Sequence, residues 1–475
     1  MTALYRVPHR LSGKLCSPQD AAALIPEGAV VAASGYTAAG DPKAVLLALA
    51  ERGRAGDIRG IELITAAQLS PQVENALAQA GILNRRAPFT VAGGVRELAN
   101  AQRLRYVEVS MARMPRVFAA GGFGIPDVAV VEALGLDDDG RLIPTTSVGM
   151  TQLMCGMARR IIVEINTAQP ELLLGLHDVY EGPAHAGTAL GSAGERVGRS
   201  YVQIDLDKVA AVTFSHQPDE AAPPAAPTPA QRAICENLMT WLDRAFPGKT
   251  LPPVQTGIGG LSGAVVEALK GSRYERLTFF CGALQAGMAE LLAQGKAELL
   301  SGGSIVSDPE TLARLRCLGG GLKDRLVLRS MEVCNGYAAV SGLGVLALNT
   351  GLEMDVFGNV NASHIGGTRV VNGIGNGAAF AAAAGLSVML LPAARKDGQL
   401  SCIVPAVGHV DVIHHDVDVV ISEFGTADLR GRDDGECARQ IIERCAHPAH
   451  REGLLRALEQ ALRAGGHHPL LLDNL

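Results

Sequence analysis

Apolar residues along this chain fall into two repeating patterns. Short runs rich in β-branched residues occur at Ala29–Ala33, Val128–Val131, Arg160–Ile165 and Val417–Ile421, each bounded by polar punctuation. Runs that are apolar at successive positions suit strands buried on both faces. Between them lie amphipathic stretches such as Lys43–Arg52 and Gln231–Ala245, with the spacing of helices that bury one face. The alternation predicts an α/β protein with mainly parallel sheets covered by helices. The longest apolar stretch, Ala378–Leu391, is alanine-rich, has an internal glycine and stops at Pro392. It falls short of the ~20 strongly apolar residues that a bilayer helix needs, and is read as a buried helix running into a core strand.

One segment breaks the pattern. Gln217 to Ala230 carries Pro218, Pro223, Pro224, Pro227 and Pro229 among alanines and two acids. Prolines lack the N–H that a sheet ladder requires, so a semi-extended linker is expected there. This predicts an N-terminal domain over 1–216, a linker with a connecting helix over 217–251 and a C-terminal domain over 252–475. Each half offers a similar unit. Ala29 to Gly35 is followed by the helical pattern Lys43–Leu49, and Val254 to Gly260 by Ala264–Leu269. Strand, glycine-rich turn and helix recur, as expected of two related α/β domains with a ligand site in the cleft between them.

Charge and cysteine content narrow the partners. Forty-two basic and 48 acidic side chains give a formal net charge of -6, without the basic stripe of a phosphate-backbone reader, so nucleic acid is not an expected partner. Nine cysteines, from Cys16 to Cys445, include no C-x-x-C pair, which argues against a disulfide framework and a zinc site. Met1 to Lys14 has no apolar core of a signal peptide. The expectation is a cytoplasmic protein with no membrane partner.

Several stretches hold candidate chemistry. Gln255–Leu261 places Gly257, Gly259 and Gly260 after a strand and before a helix, where backbone amides can approach an anion. Asn372–Gly377 is a second such turn, with Gly375 and Gly377 around Asn376; either turn also reads as a plain tight turn. Leu348–Asn361 reads as a strand and turn with polar anchors. His409-Val410-Asp411 and His414-His415-Asp416 match no standard metal spacing and read as structural or surface histidines.

The order of these segments resembles the acetyl-CoA hydrolase and succinyl-CoA:acetate CoA-transferase family, a branch of the class I CoA-transferases. The resemblance rests on Gly35-Tyr36-Thr37 with Gly40-Asp41-Pro42-Lys43, Pro144–Gly149, Glu332-Val333-Cys334-Asn335, Gly358–Asn361, Val371–Gly375 and Gly425–Gly431. It implies two CoA-transferase-type α/β domains, a homodimer, and coenzyme A held as an acyl-CoA substrate, with a small carboxylate as a second partner. No metal is implied. By the same resemblance Asn335 binds the thioester oxygen and the backbone N–H at Asn376 completes the oxyanion hole. Gly257, Gly259, Gly260, Gly375, Gly377 and Lys396 fall to coenzyme A binding.

One departure bears on the reaction. The family's nucleophile is a glutamate that becomes a glutamyl-CoA thioester. Matching Leu277–Phe280 and Leu284-Gln285 to that segment puts Gly282 at the glutamate and Cys281 at its neighbouring threonine. Glycine has no group with which to attack. Cys281 is the nearest polarisable nucleophile. Three readings follow: an acyl-CoA enzyme using the oxyanion hole for hydrolysis, decarboxylation or acyl condensation or cyclisation; ordinary CoA transfer or acetyl-CoA hydrolysis with a displaced carboxylate; or a silent acyl-CoA-binding protein.

Overall fold

The structure, a computed structural model, describes residues 4–184, 187–220 and 226–465. Pro223 and Pro224 of the expected linker lie outside the described residues, as do the last ten positions of the chain. Two compact units are present: Met1–Ala222 with Thr278–Gly342, and Pro223–Leu277 with Leu343–Leu475.

The first unit is built on a seven-stranded sheet in the order Val209–Ser215, Arg160–Asn166, Val128–Ala133, Val30–Ala33, Ile61–Thr65, Leu83–Ala87, Arg105–Tyr106. Every neighbouring pair is parallel, as the continuous apolar runs predict. The chain starts at the centre, winds outward through Ile61–Thr65, then returns to the other side at Val128–Ala133. Strand order therefore reverses between Val30–Ala33 and Val128–Ala133, which makes the loop after Val30–Ala33 a topological switch point. Helices Lys43–Ala55 and Pro71–Gln79 cover the sheet. Their Leu46, Leu49, Val73 and Leu77 join Val31, Ala33 and Leu63 in one buried cluster, each leucine contributing about 1.5–3 kcal/mol.

The same unit holds a second group of strands, Leu277–Cys281, Ala297–Gly302, Leu326–Arg329 and His177–Asp178, in that order. Arg329 is fully buried there. Its guanidinium pairs with Asp178 and donates to Ser301 Oγ at 2.6 Å and to the Ala193 carbonyl at 2.8 Å.

In the second unit, Val254–Thr256, Leu346–Thr350, Leu386–Leu390 and Val419–Ser422 form a parallel set closed by antiparallel Gly425–Asp428. Helices Pro229–Ala245 and Asp434–Cys445 each begin with a capping box, Thr228 with Gln231 and Asp433 with Glu436, which satisfies N–H groups that a helix start leaves open. The alanine-rich stretch is the helix Gly377–Ala383 followed by the buried strand Leu386–Leu390.

The Pro-rich stretch is anchored at its start, where Gln217 exchanges hydrogen bonds with Asn166 and Asp219 is held next to it. Asp219 is buried, bonds Lys43 Nζ at 2.5 Å and accepts from Thr146 Oγ1 and the Gly40 amide. Lys43 also lies 3.2 Å from Asp41 and 3.6 Å from Glu132. One buried ammonium thus faces three carboxylates, and burial beside Asp219 and Glu164 pushes the Glu132 carboxyl up to about 8.

Candidate active site

In the first unit, three loops leave the carboxyl ends of neighbouring strands and converge on Tyr36. Gly282 follows Leu277–Cys281, Gly303 follows Ala297–Gly302, and Asn335 ends the short helix Met331–Cys334 that follows Leu326–Arg329. The Gly303 amide donates to the Gly282 carbonyl at 2.8 Å, tying two of these loops together. Tyr36 arrives from the switch-point loop after Val30–Ala33. The carboxyl edge of parallel strands at a switch point is where α/β sheets bind ligands.

Asn335 Nδ2 donates to Tyr36 Oη at 2.7 Å, and both residues are fully buried. Gly282 is half-buried beside them. A Cβ placed on Gly282 would stand 2.9 Å from Tyr36 Oη and 3.0 Å from Asn335 Oδ1. Glycine at 282 and the Tyr36–Asn335 hydrogen bond are therefore one arrangement, since a side chain there would displace a partner of the bond. Gly303 is equally confined, its Cβ position lying 3.0 Å from Cys334 Sγ and 3.3 Å from Tyr36 Cζ.

The loop that carries Tyr36 is tightly folded. Thr37 and Ala38 have φ of 55° and 60°, uncommon for residues with a Cβ and often found where a site must hold one geometry. The Tyr36 amide donates to the Ala39 carbonyl at 2.9 Å, and Ser34 Oγ donates to the Gly40 carbonyl at 3.1 Å.

Electrostatics keep this cluster neutral. Burial, with Cys334 and Cys281 nearby, holds the Tyr36 phenol well above its ordinary range, and the bond from Asn335 offsets only part of that. The Cys334 thiol is likewise raised by burial. Cys281 is fully buried at the end of its strand. Glu332 differs in kind: its Oε2 is buried without a hydrogen-bond partner among the described residues, and burial pushes the carboxyl up to about 7.

The remaining sequence-predicted residues lie in the second unit. Gly257, Gly259 and Gly260 form the turn between Val254–Thr256 and the helix Gly260–Gly271, with Gly259 at φ 133°. Asn376 precedes the helix Gly377–Ala383, and Asn349 Nδ2 donates to the Gly377 carbonyl at 3.1 Å. Both turns thus sit at the carboxyl edge of adjacent parallel strands, Val254–Thr256 and Leu346–Thr350. Asn376 has φ of -127° and needs no left-handed tolerance; Gly375, at φ 58°, takes that conformation instead. Lys396 is exposed at the tip of a small hairpin, Ala394–Arg395 with Leu400–Ser401. Asp355 anchors the next turn by accepting the amides of Phe357, Gly358 and Asn359. His409 bonds Asp411 at 3.1 Å and His414 meets Asn359 at 3.2 Å.

Sequence reasoning missed Tyr36 and Glu332 as site residues. Tyr36 carried a signal, its place in the glycine-flanked turn after a central strand; the burial of Glu332 carried none.

Comparison with known proteins agrees with this architecture. RipA from Yersinia pestis superposes with a TM-score of 0.74 at 21% identity, covering 94% of this chain and 97% of that one. A 4-hydroxybutyrate CoA-transferase from Porphyromonas gingivalis gives 0.64 at 18%, covering 94% and 98%. These neighbours define a CoA-transferase-type α/β fold. Profiles of the acetyl-CoA hydrolase/transferase N-terminal and C-terminal domains match residues 8–213 and 322–458. The succinyl-CoA:acetate CoA-transferase of Clostridium kluyveri is 33% identical over 96% of this chain and 86% of its own. The propanoyl-CoA:succinate CoA transferase of Escherichia coli is 33% identical over 95% and 94%, and an acetyl-CoA hydrolase of Saccharomyces cerevisiae 30% over 93% and 88%. The chain belongs to the acetyl-CoA hydrolase/transferase family, a family of enzymes. No described helix is long and apolar enough to cross a membrane.

Proposed function

We propose that this enzyme processes a short acyl-CoA thioester by a route that does not pass through a glutamyl-CoA intermediate. The observation that carries the reading is Gly282, where the space a side chain would enter is taken by Tyr36 Oη and Asn335 Oδ1. Relatives named for acetyl-CoA, succinyl-CoA and propanoyl-CoA support a short acyl group and coenzyme A as the carrier. Asn335 is the donor assigned to the thioester oxygen, and a donor of this kind contributes about 3 kcal/mol to acyl-transfer catalysis; the backbone N–H of Asn376 is a further candidate donor. Gly257, Gly259, Gly260, Gly375, Gly377 and Lys396 hold the coenzyme. Hydrolysis, decarboxylation and condensation or cyclisation all draw on a stabilised tetrahedral or enolate oxyanion without an enzyme carboxylate. The enzyme acts as a cytoplasmic homodimer.

Cys281 is placed here as the acyl-accepting thiol. Its burial makes free thiolate formation costly, so the S–C bond to the acyl group forms as the acyl–CoA bond breaks, and the thiol proton passes to the departing CoA sulfur.

The test is CoA release from acetyl-CoA, propanoyl-CoA and succinyl-CoA, with and without acetate or succinate. Product formation that ignores the acceptor acid supports the reading, whereas acetate-dependent exchange of the CoA group would overturn it. Glu332 favours one second reading, ordinary CoA transfer from a displaced carboxylate. It lies on the helix that ends at Asn335, with an unpartnered oxygen and a raised pKa, as suits a nucleophile or base. Under that reading exchange is present in the wild type and lost in Glu332→Gln.

A further inference from the structure

Tyr36 has a role that its burial alone does not explain. Its hydroxyl oxygen receives the Asn335 amide proton at 2.7 Å, which leaves the phenol proton directed elsewhere. The acceptor that proton meets is Met111 Sδ, 3.9 Å away. A thioether is a weak acceptor, and 3.9 Å is the far end of its range, so the donor is almost unspent. Chains of the form N–H to O–H to acceptor polarise one another, and Asn335 thereby strengthens Tyr36 as a donor. The phenol stays neutral, because burial and the neighbouring Cys334 and Cys281 oppose ionisation.

We propose that Tyr36 is a catalytic residue whose phenol hydroxyl donates a hydrogen bond to the carbonyl oxygen of an acyl-CoA thioester lodged beside Gly282. The inference rests on the acyl-CoA reading above and adds the group that replaces the lost side chain's occupancy. Three features of this chain support it. Oη is buried and lies 2.9 Å from the point where any side chain at 282 would begin, so glycine is the residue that lets a ligand carbonyl approach the hydroxyl along its backbone. Gly282 is itself part-exposed, which gives that side an opening. The Tyr36 loop is fixed by two consecutive positive-φ residues and by Asn335, so the donor is oriented before the ligand arrives, as electrostatic stabilisation of an oxyanion demands.

The experiment uses the full chain and acetyl-dethia-CoA, in which a methylene replaces the thioester sulfur, labelled with carbon-13 at the carbonyl. Binding is measured by calorimetry and the bound carbonyl by NMR, for the wild type, Tyr36→Phe and Tyr36→3-fluorotyrosine. The expected result is a downfield carbonyl in the wild type, further downfield with the more acidic fluorophenol, and back at the free position in Tyr36→Phe. Affinity should fall about 3- to 10-fold in Tyr36→Phe, the loss of one neutral hydrogen bond. One carbonyl frequency shared by all three proteins would overturn the role of Tyr36 and leave the acyl-CoA reading standing. If Tyr36→Phe does not fold, the fluorotyrosine protein, which keeps the shape and the bond from Asn335, decides alone. Absence of saturable binding of the dethia analogue, acetyl-CoA, propanoyl-CoA and succinyl-CoA to the wild type would overturn the acyl-CoA reading and this inference with it.

Discussion

Gly282, Tyr36 and Asn335 form one packed unit, and a double-mutant cycle measures their interdependence. In Gly282→Ala the new methyl would lie 2.9 Å from Tyr36 Oη and 3.0 Å from Asn335 Oδ1. Ordinary contacts of a carbon are several tenths of an ångström longer, and the neighbours are buried, so the cost is that of overpacking a core, about 1–3 kcal/mol. Tyr36→Phe deletes Oη and removes the 2.7 Å hydrogen bond from Asn335, a loss of about 0.5–1.5 kcal/mol. In the double variant the overlap with Oη has gone, so alanine meets only Asn335. The double variant should then cost less than the sum of the two single variants, with a coupling of about 1 kcal/mol in the compensating direction. Urea unfolding of the four proteins, compared at a shared m-value, reads this out. Additivity within about 0.5 kcal/mol would refute the claim that Tyr36 Oη occupies the space in front of residue 282.

Further outcomes follow from the same geometry. Gly282→Glu alone should gain no acetate-dependent CoA exchange, while Gly282→Glu with Tyr36→Ala should gain it, as followed by label transfer from acetate into acetyl-CoA. Glu332→Gln should flatten part of the pH dependence of stability. The folded carboxyl titrates near 7 against an ordinary 4.5, so between those values the folded state holds a proton that the unfolded state has lost. This group therefore favours folding most at acid pH and opposes it as pH rises through 7, by on the order of 3 kcal/mol above that. Gln should be the more stable variant at pH 8 and nearly equal at pH 4.5, by urea unfolding. Lys43→Met should destabilise the first unit by about 3–5 kcal/mol, because Asp41, Glu132 and Asp219 would lose their shared buried cation. A melting temperature within 1–2 °C of wild type, a shift of well under about 1 kcal/mol, would contradict that.

How much of this was legible in the sequence depends on the range of the interaction involved. Strands such as Val30–Ala33 and Arg160–Asn166 and helices such as Lys43–Ala55 follow from periodicity, because their burial is set by local pattern. The strand–turn–helix units at both 29–49 and 254–269 fold as read. Gly282 and Asn335 were marked in the sequence only by the resemblance, the one as its departure and the other as its match. Tyr36 did not stand out, since its bond to Asn335 spans 299 positions and exists only once the sheets bring the loops together. The left-handed position of the Asn372–Gly377 turn falls on Gly375 at φ 58°, while Asn376 has φ of -127°, a division that spacing alone does not reveal. The raised pKa of Glu332 comes from tertiary burial, for which the stretch Glu332–Asn335 has no local mark.

The most direct test of the central claim is mass spectrometry of the intact protein and its peptides after incubation with acetyl-CoA, propanoyl-CoA and succinyl-CoA, with borohydride trapping. The account predicts no CoA adduct on any aspartate or glutamate, and either an acyl group on Cys281 or product with no adduct at all. A CoA thioester on a carboxylate, Glu332 above all, would contradict it and return the enzyme to glutamyl chemistry.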